Sequence, residues 1–73
     1  MSDIIEAVTA VSGRKFALHF ETTCEGTEAQ IYSVHPDGEK FSLRGFGSRS
    51  YRTAASARLH AVRYLVQYAG PLA

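Results

Sequence analysis

The sequence predicts a small α+β domain in which a three-stranded antiparallel sheet packs against a long C-terminal helix, in the order α-β-β-β-α. Three observations predict this class. Apolar and polar residues alternate over 15–22, a Pro36-Asp37-Gly38 turn separates two further short apolar runs, and an alanine-rich segment with helical periodicity spans 51–68. With 73 residues, the chain has room for a single domain, residues 1–73, with a thin hydrophobic core.

The first element, residues 3–12, is predicted to be a short helix. Ser2 or Asp3 can cap it, Glu6 stands where a capping box needs an acid, and Gly13 can end it. A strand is the alternative, because the segment is rich in β-branched residues and is too short for periodicity to decide. These residues are Ile4, Ile5, Val8, Thr9 and Val11.

Three strands are predicted after Gly13, over residues 15–22, 29–34 and 41–44. The first has the clearest alternation, and its apolar residues, which share one face, are Phe16, Leu18 and Phe20. An acidic loop separates it from the second strand. The Pro36-Asp37-Gly38 sequence favours a hairpin turn into the third strand, because proline presets φ and glycine accepts positive φ.

The last predicted element is a helix over residues 51–68, capped by Ser48 or Ser50 and ended by Gly70-Pro71. Its apolar residues cover roughly two-thirds of the circumference, which is more than one sheet layer buries. The N-terminal helix or a second copy of the chain must cover the rest, and we expect a homodimer. The expected interface residues are Arg58, Tyr64, Leu65 and Tyr68.

The charges are divided along the chain. Residues 1–39 hold all seven acidic residues and two basic ones, a net charge of −5, whereas residues 40–73 hold six basic residues and no acidic one, a net charge of +6. This division predicts a basic surface for nucleic acid or for an acidic protein. Alternatively, the two halves neutralise each other within one fold or across a dimer. The expected anion-binding residues are Arg44, Arg49, Ser50, Arg52 and Arg63.

The Gly45-Phe46-Gly47 segment lies just before the predicted helix. Glycines in that position let backbone N–H groups converge on an anion, and Ser48, Arg49 and Ser50 would add donors. The alternative is a turn between strand and helix that needs glycine only for its geometry.

Nothing in the sequence predicts an enzyme, a metal site or a cofactor. The soft metal ligands lack the short spacing that places two of them on one ion; they are His19, Cys24, His35 and His60. A single cysteine, an acidic N-terminal segment and the absence of a long apolar run favour a cytoplasmic protein with no membrane span.

The C-terminal third resembles the double-stranded-RNA-binding domain. The resemblance lies in the glycine-containing turn, Ser50-Tyr51-Arg52 and the alanine-rich run that follows, and that family has the α-β-β-β-α order. It implies RNA contacts from the start of the C-terminal helix and from the loop between the first two strands. Residues 50–53 replace the family's lysine cluster, and the loop carries Glu21, Glu25 and Glu28.

Two functions are therefore open. The leading hypothesis is a small regulatory protein, dimeric, whose basic C-terminal half binds nucleic acid. The alternative is a protein-interaction module, such as an antitoxin, a phage-type inhibitor or an adaptor subunit, that docks through the apolar face of its helix.

Residues 31–41 are also similar to the arm-binding domains of phage-type integrases, which insert a sheet into a DNA groove.

Overall fold

A computed structural model describes residues 2–73, apart from the side chain of Ser2. Its strands and helix are β1 (Ser2–Thr9), β2 (Lys15–Thr23), β3 (Gly26–Val34), β4 (Lys40–Ser42), β5 (Arg49–Tyr51) and α1 (Ala54–Ala69). The chain is α+β, with an antiparallel sheet followed by one helix. The predicted α-β-β-β-α order is wrong, because the order is β-β-β-β-β-α.

The segment predicted as an N-terminal helix is strand β1. It pairs with β2 along its whole length, with Ile4 opposite Phe20 and Val8 opposite Phe16. Asp3 lies opposite Glu21 in this ladder and caps no helix. The β-branched residues thus favour the strand, and the long ladder with β2 stabilises it, whereas an isolated helix of this length is only marginally stable.

The sheet is built on β3, which has β2 on one side and two short strands on the other. β4 pairs with Tyr32–Val34, and β5 pairs with Thr27–Ala29, so β4 and β5 lie end to end along one edge of β3. Between them residues 43–48 form a loop, and the Leu43 N–H donates to the Ile31 carbonyl at 2.9 Å. The third predicted strand therefore ends at Ser42, and a further strand was missed.

One face of the sheet is covered by α1. The predicted alternation in β2 is confirmed, since Phe16, Leu18 and Phe20 are all buried. They pack with Ala29 and Ile31 of β3 against the helix, whose fully buried residues are Ala57, Ala61 and Leu65. The other face of the sheet carries no helix, and no helix among residues 2–73 has the length and apolar character to cross a membrane.

The helix begins later than predicted. Thr53 is its N-cap, and the Thr53 Oγ1 atom accepts a hydrogen bond from the Ser56 N–H at 3.1 Å. Ser48 and Ser50 do not cap it, because residues 49–51 are paired with β3. The predicted end is confirmed: Gly70, with a φ of 84°, donates its N–H to the Val66 carbonyl at 3.0 Å.

After α1 the chain returns to the sheet beside the end of β1. The Val11 N–H donates to the Pro71 carbonyl at 2.9 Å, and the Ala73 N–H donates to the Thr9 carbonyl at 2.8 Å. This C-terminal tail, residues 71–73, covers the outer edge of the sheet at residues 9–11. Among the described residues, no strand pairs with the outer edge of residues 3–7.

Candidate nucleic-acid interface

Three aromatic side chains follow one another along one face of α1. We call His60, Tyr64 and Tyr68 the aromatic row; their spacing of four residues places them one above the other. Each meets a ring from the sheet or from the loop before β5. The pairs, with the distances between ring centroids, are His60–Tyr51 at 4.8 Å, Tyr64–Phe46 at 5.3 Å and Tyr68–Phe16 at 6.2 Å.

The row is partly open to solvent. Tyr68 is 48% exposed, and His60 is also exposed. The rings of Tyr64 and Tyr68 are nearly parallel, with an interplanar angle of 14° and centroids 6.1 Å apart. The row is therefore an aromatic surface made of the stacked Tyr64–Tyr68 pair and of His60, which stacks on Tyr51.

Two guanidinium groups lie over the rings that form this surface. The Cζ atom of Arg49 is 4.6 Å from the Phe46 ring centroid and 5.9 Å from that of Tyr64. The Cζ atom of Arg14 is 5.2 Å from the ring centroids of both Phe16 and Tyr68. A cation–π contact of this kind holds the positive charge of the arginine at the protein surface, while the ring covers the aliphatic part of the arginine side chain.

Arg49 is fixed further by the loop that precedes β5. Its Nε donates to the Phe46 carbonyl at 2.9 Å, and its Nη2 donates to the Gly45 carbonyl at 3.4 Å. Gly47, with a φ of 66°, lets the loop turn back on itself. The Gly47 N–H donates to the Leu43 carbonyl at 3.0 Å. The loop leads into β5 and not into the helix, so the expected glycine turn at a helix N-terminus is not formed.

The other predicted arginines are close in the sequence to residues of the row or to residues that contact it. Arg63 lies three residues after His60, one helical turn along α1 and next to it on the helix surface. Arg52 directly follows Tyr51 at the start of the helix, and Arg44 directly precedes Gly45. All three are exposed, and within residues 2–73 none of them pairs with a carboxylate.

Ser50 faces away from the aromatic row. In β5 it lies opposite Glu28, on the sheet face that carries no helix, whereas Arg49 and Tyr51 face the helix side. Its neighbours there line a shallow cavity of about 250 Å³ that includes Glu21, Glu25 and Glu28. An anion would meet three carboxylates at this place, so we do not include Ser50 in the interface.

The residues predicted for a protein interface fall into three groups. Tyr64 and Tyr68 belong to the aromatic row. Leu65 is fully buried between helix and sheet and offers no surface to a partner.

Arg58, the fourth predicted interface residue, forms a bidentate ion pair with Glu6 of β1, with its Nε and Nη2 atoms 2.8 and 2.7 Å from the carboxylate oxygens. The hydrogen bonds from Arg58 lower the pKa of the Glu6 carboxyl, and those to Glu6 raise the pKa of Arg58.

A cleft of about 480 Å³ lies beyond the C-terminal end of the row. Residues 12–15 and 33–36 line it, and its charged or ionisable members are Arg14, Lys15 and His35, without an acidic side chain. Arg14 connects the cleft to Tyr68. The sequence did not identify Arg14 or Lys15 as site residues, because both lie in the acidic half of the chain. The contact between Arg14 and Tyr68 also joins residues that are far apart in the sequence.

Together these groups offer flat rings and positive charges, the two features that bind the bases and the phosphates of a nucleic acid strand. No cluster of metal-ligating side chains occurs among the residues that the structure describes. No protein-family model, curated protein or solved structure matches this chain.

Proposed function

We propose that this protein binds single-stranded nucleic acid along the aromatic row, with the surrounding arginines on the phosphates. The observation that carries the proposal is the combination of an open row of rings with stacked guanidinium groups from Arg14 and Arg49. Residues 40–73, which supply the row and most of its surroundings, contain no acidic residue to repel a phosphate.

The row fits a short stretch of strand. At about 1.5 Å per helical residue, His60 and Tyr68 are about 12 Å apart along the axis, enough for about three stacked bases. Rings accept any base face, so this surface predicts weak sequence preference. Arg63, one helical turn from His60, and Arg44 and Arg52, which precede and follow the segment 45–51 that contacts the row, are the expected phosphate contacts.

A second function, docking on a protein, is favoured by a different observation. On the side of α1 towards β1, Leu59 is 49% exposed and Val66 is 42% exposed. This apolar stripe lies away from the aromatic row, so binding of nucleic acid and of a protein would use different sides of the helix.

Fluorescence anisotropy with dye-labelled oligonucleotides of about 20 nucleotides tests the proposal. We expect single-stranded DNA or RNA to bind more tightly than a duplex of the same sequence. Because binding releases counterions, affinity should fall steeply as salt rises from about 50 to about 200 mM. Equal affinity for duplex and single strand, or no response to salt, would contradict the proposal.

Paired variants locate the interface. Tyr68→Ala should weaken binding about tenfold or more, whereas Val66→Ala, at a similarly exposed site on the apolar stripe, should not. Arg63→Glu should weaken binding and flatten the salt dependence. Lys40→Glu makes the same charge change on the sheet face without a helix, where Lys40 lies opposite Val34, and it should have a smaller effect. If Arg63→Glu and Lys40→Glu lowered the affinity for the oligonucleotide equally, binding would depend only on the net charge of the protein.

A further inference from the structure

Strand β1 forms an open edge of the sheet. Its inner side pairs with β2, and the C-terminal tail covers only the chain next to its end, at residues 9–11. Exposed edges usually carry lysine, proline or a bulge that prevents pairing with another strand. β1 has no lysine, proline or bulge: its register with β2 is unbroken, and the charged residues of its sequence, Ser-Asp-Ile-Ile-Glu-Ala-Val-Thr, are Asp3 and Glu6.

Two hydrogen bonds show which residues point to the open edge. The Ala10 N–H donates inward to the Arg14 carbonyl at 2.8 Å, while the Thr9 carbonyl accepts outward from Ala73. Because neighbouring residues of a strand direct their backbone groups to opposite sides, the outward set continues through Ala7, Ile5 and Asp3. These three residues have free N–H and C=O groups in the described chain.

The same strand exposes two large apolar side chains, one on each face. Ile4 is 53% exposed on the helix side, and Ile5 is 61% exposed on the other side. An added strand would cover both at once, since it would extend both faces of the sheet.

We propose that a second copy of the chain pairs with this edge, antiparallel, with Ile5 opposite Ile5 of the partner subunit. In this register Asp3 lies opposite Ala7 of the partner subunit. By symmetry, Ala7 lies opposite Asp3 of the partner subunit. Each of these pairs exchanges two hydrogen bonds, which gives about six in all and leaves no outward group of Asp3, Ile5 or Ala7 without a partner.

The tail and the charges select this register from its neighbours. Centring the pair on Glu6 would place two carboxylates opposite each other, and it would bring Asp3 against the partner's Thr9, whose carbonyl the tail already occupies. Centring it on Ile4 would leave Ala7 unpaired by any described residue. Only the register on Ile5 uses all three outward residues and opposes no like charges.

The choice of a second copy as the partner follows from this self-complementarity. A two-fold axis at Ile5 puts that exposed side chain against its own copy, and it puts Ile4 opposite Glu6 of the partner subunit. The axis runs through the sheet, so both helices, and both aromatic rows, lie on the same face of a continuous sheet. The dimer does not depend on the binding of nucleic acid.

Sedimentation equilibrium over a range of protein concentrations tests the dimer. We expect the mass of two chains, and a dissociation constant at least about 100-fold larger for Ile5→Lys, which sets two lysines against each other and removes both isoleucines. Ala7→Lys makes the same exposed charge change two residues away, but opposite Asp3 of the partner subunit, and should preserve the dimer. Circular dichroism checks that both variants fold.

Cross-linking tests the register. In a Cys24→Ser background, Ile5→Cys should form a disulfide-linked dimer under mild oxidation, because paired Cα atoms lie about 5.5 Å apart. Thr9→Cys should not, since its copy lies far along the strand. A monomer at every concentration, a dimer indifferent to Ile5→Lys, or cross-linking at residue 9 but not residue 5 would each overturn the proposal.

Discussion

Replacing Gly26 with alanine should destabilise the fold more than the same change in another turn. Gly26 has a φ of 137°, where residues with a side chain are strained, and an added Cβ would lie 2.5 Å from the Tyr51 carbonyl oxygen. That oxygen belongs to the backbone of β5, so the strand itself must shift. The turn between β2 and β3 and the position of β5 therefore both require a glycine, with no side chain, at residue 26.

The magnitude follows from these two effects. The backbone conformation costs about 1–2 kcal/mol for a residue with a Cβ, and displacing a packed neighbour costs about 1–3 kcal/mol more. Gly26→Ala should thus lower the free energy of unfolding by about 2–5 kcal/mol. A domain of this size is stable by only about 4–11 kcal/mol, so the loss is a large part of the total.

Gly38→Ala is the matched control. Gly38 also has a positive φ, 92°, but an added Cβ there meets no atom within 4 Å. It should lose only the conformational part, about 1–2 kcal/mol. Urea denaturation followed by circular dichroism measures both free energies of unfolding. If the two variants lost equal stability, the contact between Gly26 and β5 would not be as the structure has it.

Three further changes have defined outcomes in the same urea assay. Thr53→Ala removes the N-cap bond to Ser56 and should cost about 1 kcal/mol, while Thr53→Ser should retain most of it. Leu65→Ala should cost about 2–5 kcal/mol because it leaves a cavity between α1 and the sheet. Arg58 lowers the pKa of Glu6, so this pair stabilises the fold above the ordinary carboxyl value of 4.5, and that stability is lost as pH falls through the lowered pKa. Wild type should therefore lose more stability than Glu6→Gln between about pH 7 and pH 3; equal losses would show that the pair contributes nothing.

Strands β2 and β3 and the end of α1 were predictable because their signals are local. In β2 the alternation of Phe16, Leu18 and Phe20 matches the burial of one sheet face. At the other end of the chain, Gly70 supplies the positive φ that ends the helix. Neither feature depends on a distant part of the sequence.

The two missed strands are set by distant partners. β1 carries both a capping-box pattern and β-branched residues, and its ladder with β2 decides between them. β5 has only three residues, and it is a strand because it pairs with Thr27–Ala29 of β3. From the sequence alone, its serine and arginine suggested the start of a helix.

The candidate site was predictable only in part. The division of charge at residue 40 identified Arg44, Arg49, Arg52 and Arg63, and of these Arg49 lies over the rings of Phe46 and Tyr64. Two residues of the row, Tyr64 and Tyr68, were interpreted as part of a dimer interface, since helical spacing shows which residues share a face but not what that face meets. Arg14 required the structure, because its contact with Tyr68 joins opposite ends of the chain.

The claim that the aromatic row binds a nucleic acid strand is tested most directly by NMR of the tyrosine rings during titration with a single-stranded oligonucleotide. Stacked bases should shift the ring resonances of Tyr64 and Tyr68. Tyr32, which lies opposite Ala17 and Ser42 on the sheet face without a helix, should not respond. Shifts at Tyr32 with none at Tyr64 and Tyr68 would contradict the claim.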